Sequence, residues 1–392
     1  MRMQSARYML FYPILLIAVL IGVDRLLTLP GILEQGRGED TPVENLRGTV
    51  PIIHTRLKQT AGAATPPKRT ALFVGTSRSL AFAQLTPERI AKNPLLSADQ
   101  RALLGRYETN AGLALVLQDM LTTLQIVDAV AAEEDPVDLV VFEVPPYLLY
   151  GALVARTRWY DSVQGADFIE RHFDVLPGGL RDDAMARWLF RTYDYKFRPE
   201  RALSNLISPE SAPIFDAATA MTMLRSTVDP EELFRPRIPG ENPSAENLEL
   251  LESEIKVLLG DGAYRDMDPS MALLPAYRRS IQMLRDADID VVLWMSPVHR
   301  FLVDRVYRRH NTDGLLMSRY FDVIRETDLP YYNGNAVLDR CDEWHDAGHM
   351  AGRCYPLLAA EILRCHEDPE LVGCRLREEP LDPLQRPDLY SK

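Results

Sequence analysis

The sequence predicts an α/β protein built on a parallel sheet, interrupted by a helical insertion and preceded by one N-terminal transmembrane helix. Three observations carry that expectation. Short apolar segments at 71–75 (ALFVG), 137–144 (VDLVVFEV) and 289–295 (IDVVLWM) alternate with stretches of helical periodicity. The alternation lapses between 151 and 268, and an uninterrupted apolar run fills 8–23 (YMLFYPILLIAVLIGV). Segments this short and this apolar read as strands buried on both faces, as a parallel sheet covered by helices requires.

Taken in order, the N-terminal run follows Arg2 and Arg7. At 1.5 Å per residue it falls a little short of a ~30 Å hydrocarbon core, but Asp24 and Arg25 can snorkel while Leu26, Leu27 and Leu29 extend it. A cleaved signal peptide is the rival reading, yet DRLLTLPGIL offers no small-x-small cleavage site. Positive residues before the span put the N-terminus in the cytoplasm and the rest outside. Residues 1–28 are thus expected to be a cytoplasmic stub and anchor in a bacterial inner membrane, with the C-terminal domain in the periplasm. Residues 29–69, rich in Gly, Pro, Thr and Gln without sustained periodicity, read as a linker.

Residues 70–150 form the first part of the core. After the strand at 71–75, apolar residues recur at helical spacing over 111–132 (Leu113, Leu117, Met120, Leu121, Leu124, Val127), and the strand at 137–144 ends at Pro145 and Pro146. Between 151 and 268, helical stretches such as RTYDYKFRPERAL and Pro-punctuated loops such as ELFRPRIPGENPSAEN indicate an insertion. The core resumes over 269–365 with a helix at 270–287, the strand at 289–295, helices across 299–327, a short strand at Tyr331 and Tyr332, and a last helix at 351–364; 366–392 is a tail. The chain's 392 residues suit one such core with embellishments. In a parallel α/β core ligands sit at the carboxyl ends of the strands.

Composition narrows the function classes. An apolar fraction of 46% with 26% charged residues is that of a globular protein, and a net charge of −12 without a basic stripe argues against nucleic acid as a partner. The four cysteines, Cys341, Cys354, Cys365 and Cys374, cluster near the C-terminus, which in an extracytoplasmic domain indicates two disulfides. Three pairings are open. Pairing of sequence neighbours would close short loops; buried free thiols are the alternative.

Two segments carry chemistry. Gly75-Thr76-Ser77-Arg78-Ser79 follows the first strand and enters a helix, placing Ser77 at the sheet's carboxyl edge near backbone N–H groups able to stabilise an oxyanion. The alternative is that Thr76, Ser77 or Ser79 caps the helix. Cys341-Asp342-Glu343-Trp344-His345-Asp346-Ala347-Gly348-His349-Met350 precedes the last helix. A hydroxyl nucleophile needs an imidazole base supported by a carboxylate, and Asp346 with His349 offers one at a spacing of three. Asp342 with His345 repeats that spacing as an alternative dyad. The spacing of His345 and His349 resembles HEXXH only in form, since Glu does not follow the first His, and no metal or other cofactor is expected.

LFVGTSRS near the start and DAGHMAGRCYPLLAAEIL near the end resemble the first and last blocks of the SGNH (GDSL-like) hydrolase superfamily. The resemblance implies a flavodoxin-like three-layer sheet, with Ser77 as nucleophile, His349 as base and Asp346 as its orienting acid. Tyr355, Leu357, Leu358 and Ala359 fall where that family's final helix carries its YxxLA-like pattern. The N-terminal span, the GTSRS block, the strand ending in VPPY and the strand followed by SPVH look like membrane-anchored members associated with polysaccharide O-acetylation, such as the alginate acetylation proteins.

The chain departs from the family pattern in three places near the motifs: Thr76 replaces Asp, Arg78 replaces Leu, and Cys354 stands where Gly is common. The G-x-N-D block, whose Asn donates to the oxyanion, is missing, because the strand at 137–144 runs into Pro145-Pro146-Tyr147. The remaining donors are the N–H groups of Ser77 and Gly112, with the Asn110 side chain as a third; otherwise Asn110 is a turn residue. Glu143 reads as a second acid or as a solvated or ion-paired strand end. His299 either touches substrate or starts a helix. Arg300, Arg305, Arg308 and Arg309 line an anionic path or a solvated face, and Trp159, Tyr160, Trp188, Tyr193 and Tyr195 stack on sugars or fill the core.

The resemblance implies a serine esterase or O-acyltransferase moving an acyl group, acetyl above all, from an ester or donor to a glycan hydroxyl or water. The missing Asn block supports a second expectation: a catalytically silent module that binds an envelope glycan or scaffolds a membrane acyltransferase.

Overall fold

The computed structural model describes residues 2–36, 44–114, 119–150, 166–194, 197–207, 235–240, 243–260, 271–307 and 315–376. Three helices lead in: α1 (Arg2–Leu27), α2 (Pro30–Gly36) and α3 (Glu44–Ala63). The first half of the core follows as β1 (Arg69–Val74), α4 (Ser77–Leu80), α5 (Pro87–Lys92), α6 (Ala98–Gly105), β2 (Tyr107–Asn110), α7 (Met120–Ala131), β3 (Leu139–Glu143) and α8 (Pro146–Tyr150). The insertion contributes α9 (Ala166–His172), α10 (Gly178–Leu189), α11 (Arg191–Asp194), α12 (Pro199–Ile207), β4 (Ile238–Pro239) and α13 (Ala245–Gly260). The second half supplies α14 (Leu274–Asp286), β5 (Asp290–Met295), α15 (Arg300–Leu302), α16 (Leu315–Glu326), β6 (Tyr331–Asn333), β7 (Glu343–Trp344) and α17 (Tyr355–Glu367).

Among the described residues β2, β1, β3, β5 and β6 form one sheet in that order, every pair parallel. Renumbered among themselves these five strands run 2-1-3-4-5, so the order reverses between β1 and β3. The carboxyl ends on either side of such a reversal bound a crevice where ligands bind. The three apolar segments become β1, β3 and β5, in which nearly every side chain is buried. Helix α7 packs against both α3 and α14, and α6 packs against α17. Phe82 joins sheet to helix, stacking on Phe73 at 4.1 Å between ring centres and meeting Trp294 and Tyr355 edge-on.

Several expectations are corrected. Residues 29–69 are not a linker throughout: α3 buries Val50, Ile53, Leu57 and Ala61 in the core. Its apolar stripe was obscured by Pro51 in the second turn and by the Gly and Thr content of the segment. β2 (YETN) is short, polar and at the sheet edge, so it carries none of the apolar signal that marks buried strands. The helix expected over 111–132 starts at Met120, because Asp119 caps it by accepting from the Thr122 N–H at 2.7 Å. The insertion is not wholly helical, since β4 pairs antiparallel with β7. The cysteines pair as sequence neighbours, Cys341 with Cys354 and Cys365 with Cys374.

Among the described residues no helix is long and apolar enough to cross a membrane. The side chains described in α1 begin at Phe11, and the apolar ones from there to Leu26 are mostly exposed, Phe11 at 57% and Leu26 at 60%.

Candidate active site

The segment after β1 is shaped by a carboxylate beneath it. Glu143, the last residue of β3, is completely buried, and its Oε2 accepts from the Thr76 N–H at 2.8 Å, the Thr76 hydroxyl at 2.9 Å and the Ser79 hydroxyl at 2.9 Å. The approach is close enough to demand glycine at 75, where a Cβ would lie 2.4 Å from Glu143 Cβ and 2.4 Å from Ser79 Oγ. Thr76 caps α4, its Oγ1 accepting from the Arg78 N–H at 3.3 Å. With capping assigned to Thr76 and Ser79 held by Glu143, Ser77 occupies the first helical position, half-buried, with its hydroxyl available for another partner.

That partner is His349. Ser77 Oγ lies 2.7 Å from His349 Nε2, and His349 Nδ1 lies 2.8 Å from each oxygen of Asp346. An ionised carboxylate only accepts, so Nδ1 carries the proton and Nε2 accepts from the Ser77 hydroxyl. Burial alone would raise the Asp346 carboxyl, but the imidazole of His349 and the Gly348 N–H outweigh it and hold the group well below the usual carboxylate range. Asp346 Oδ1 also accepts from the Gly348 N–H at 2.7 Å and the His349 N–H at 2.8 Å, so acid and base are folded together in one turn.

The turn is braced from four directions. From α4, Arg78 Nε donates to the Gly348 carbonyl at 2.7 Å, with the guanidinium stacked over the Tyr147 ring at 5.4 Å. From the start of α15, the His299 N–H donates to the Ala347 carbonyl at 3.2 Å. From α13 in the insertion, Glu254 Oε2 accepts from the Ala347 N–H at 3.0 Å; burial pushes that carboxyl up, with the charge of Asp346 adding to the effect against the Ala347 hydrogen bond. Beneath it, the Cys341–Cys354 disulfide closes the loop bearing both residues, and β4 pins β7 through the Arg237 N–H on the Trp344 carbonyl at 2.8 Å.

The other expected residues are placed differently. The Gly112 N–H donates to Asn110 Oδ1 at 2.7 Å, so it is engaged locally rather than free for an oxyanion. Asn110 thereby acts as the turn residue, leaving its Nδ2 as the side-chain donor. The Asp342 and His345 dyad does not form: Asp342 Oδ1 accepts from the Trp344 indole at 2.8 Å, and His345 Nδ1 donates to the Arg235 carbonyl at 2.9 Å. Burial lowers the His345 imidazole, which favours that neutral, structural role. Glu143 is neither solvated nor ion-paired but a clamp on the serine turn.

His299 is buried, caps α15 through Nδ1 and sits edge-on to Trp344. Arg305 pairs with Glu252 at 3.3 Å on the exposed face. Trp188 is exposed at 42%, which excludes it from the core. Trp159, Tyr160, Tyr195, Arg308 and Arg309 lie outside the described residues, as does the side chain of Tyr193. Among the described residues no three His, Cys, Asp or Glu side chains stand where they could hold a metal.

Sequence reasoning missed Glu254 and the bracing role of Arg78. Glu254 lies 93 residues before its partner, in a helix whose pattern carries no sign of a polar role. For Arg78 one signal existed: a cation directly after the serine, where the resembled family carries Leu.

No curated protein matches the chain. The DUF1574 family, described as a protein of unknown function, matches residues 3–365, a span that runs from α1 through the serine turn, the insertion and the histidine turn into α17. The chain belongs to the DUF1574 family.

Proposed function

We propose that the chain is a membrane-anchored, extracytoplasmic serine esterase or O-acyltransferase of SGNH type, moving an acyl group, acetyl above all, onto a glycan hydroxyl or water. The observation that carries this reading is the continuous hydrogen-bonded relay from Ser77 through His349 to Asp346 beside the point where strand order reverses. The 2-1-3-4-5 strand order is that of flavodoxin-like folds and supports the SGNH assignment. The apolar, exposed side chains of α1 and the arginines in its first turns, Arg2 and Arg7, support the anchor, its orientation and an inner-membrane location.

Each step follows from the placement of protons. The Ser77 hydroxyl gives its proton to His349 Nε2 as Oγ bonds to the acyl carbon, while the Nδ1 proton stays on the imidazole, hydrogen-bonded to the Asp346 carboxylate. The N–H of Ser77, at the open end of α4, donates to the carbonyl oxygen as it gains charge. The tetrahedral centre collapses, the bond to the leaving alkoxide breaks, and that oxygen takes the proton from Nε2. A glycan hydroxyl or water then loses a proton to Nε2, attacks the acyl-serine and releases Ser77, which recovers its proton.

The Gly112 N–H on Asn110 Oδ1 favours a second reading, a silent module that binds a glycan or scaffolds a membrane acyltransferase. Losing one oxyanion donor typically slows such a site ~100- to 1000-fold. Labelling by a fluorophosphonate serine probe separates the two. The catalytic reading expects labelling of the wild type that is lost in Ser77→Ala and His349→Ala; a folded wild type that stays unlabelled leaves the silent module.

A further inference from the structure

Where α1 ends, the chain is tied to the insertion rather than released from it. Asp24 is 3% exposed on a helix whose neighbouring side chains are open. Its oxygens accept from the Arg191 and Thr192 N–H groups at 2.9 Å each and from the Thr192 hydroxyl, capping α11. Arg25 donates to the Trp188 carbonyl at 3.3 Å, at the last turn of α10. A little further on, the Gly36 carbonyl at the end of α2 accepts from the Arg198 N–H at 2.7 Å, and the Gln35 carbonyl accepts from Asn205 Nδ2 at 2.8 Å, seating α12 against α2.

These contacts gather apolar surface at the foot of α1. α12 buries Ala202 but turns Leu203, Leu206 and Ile207 outward at 60, 68 and 77% exposure, the spacing of one helix face. Trp188 is half-exposed, its backbone carbonyl held by Arg25, and Leu26 and Leu29, at the end of α1 and just after it, are exposed at 60 and 50%. A cluster of this kind on a soluble surface would be unfavourable and marks an interaction site.

We infer that Leu26, Leu29, Trp188, Leu203, Leu206 and Ile207 form a collar that rests in the headgroup layer of the bilayer entered by α1. The occupant is lipid rather than a protein partner because Leu26 and Leu29 carry on the apolar run of α1, and the helices bearing Trp188 and the leucines of α12 are hydrogen-bonded to that segment and to α2 directly after it. It also places a tryptophan and an arginine at one level, Arg25 donating to the Trp188 backbone carbonyl, and both residue types settle where acyl chains meet phosphates. Amphipathic faces of this kind sit ~5–10 Å into the boundary layer. The inference rests on the anchor reading of α1. It replaces a domain swinging on a stalk with one seated on the membrane, so that its substrates are met at the membrane surface.

The test uses the full chain reconstituted in phosphatidylcholine vesicles containing dibrominated acyl chains at graded depths. Trp159, Trp294 and Trp344 are common to wild type and Trp188→Phe, so the fluorescence difference between the two reports on position 188. The collar predicts that about half or more of that difference signal is quenched, most strongly by the shallowest bromines, and that Leu203→Glu with Leu206→Glu weakens the quenching. Protein that floats with the vesicles through an alkaline wash while the Trp188 signal stays unquenched overturns the collar and leaves the anchor standing. Protein that fails to float overturns both.

Discussion

The Ser77 proton has one base beside it, and that base is fixed by one carboxylate. Asp346→Asn keeps the shape of the turn but permits the other imidazole tautomer, so acyl turnover should fall about 10³- to 10⁴-fold. The same carboxylate leaves a mark on stability. Its folded-state pKa lies below the ~3.9 of an unfolded Asp, so its contribution is fully present above that value and is lost as pH falls toward the folded one. The stability gap between wild type and Asp346→Asn in urea titrations should therefore be widest near neutrality and close in acid; a gap independent of pH would remove Asp346 from the account. Glu143→Ala leaves three donors buried without their acceptor, each costing ~1–3 kcal/mol, and should lower stability and probe labelling together. Ser77, Asp346 and His349 were legible because each stands at a strand end or just before the last helix. Glu143 was legible only as an acid, since its three partners belong to another strand's turn.

At the scale of elements, the loop from β7 to α17 carries both acid and base and is closed by Cys341–Cys354. A bridge over 13 residues contributes about 3 kcal/mol in the chain-entropy account. Replacing both cysteines with serine should lower the denaturation midpoint and slow probe labelling without abolishing it; an unchanged labelling rate would show that β4, Arg78 and Glu254 suffice to hold the turn. α3 offers a sharper contrast. Leu57 is 3% exposed within the core, so Leu57→Ala should destabilise by about 2–4 kcal/mol, whereas a residue in a linker would register almost nothing. The apolar strands β1, β3 and β5 were readable because burial on both faces leaves an unbroken apolar run. β2, β4 and α3 were not, since an edge strand, a two-residue strand and a Pro-bearing helix take their stability from partners distant in sequence.

On the scale of the whole molecule, the five parallel strands hold the serine turn and the histidine turn at one end of the sheet, although 272 residues separate Ser77 from His349. The insertion is more than an ornament on that sheet: Glu254 and β4 reach the histidine turn, α10 and α11 reach the foot of α1, and α12 reaches α2. Deleting residues 1–23 should leave a chain that an alkaline wash strips from membranes, keep Asp24 as the cap of α11 and preserve serine labelling; loss of labelling on release would mean that the site needs the bilayer. Whether Ser77 is a nucleophile is decided by trapping its acyl form. The full chain, reconstituted in vesicles, is mixed with p-nitrophenyl acetate, quenched in acid and digested, and the peptide containing Ser77 is examined by mass spectrometry. An acetyl group on Ser77, absent from His349→Ala, is the expected result; a folded chain that leaves Ser77 unmodified contradicts it.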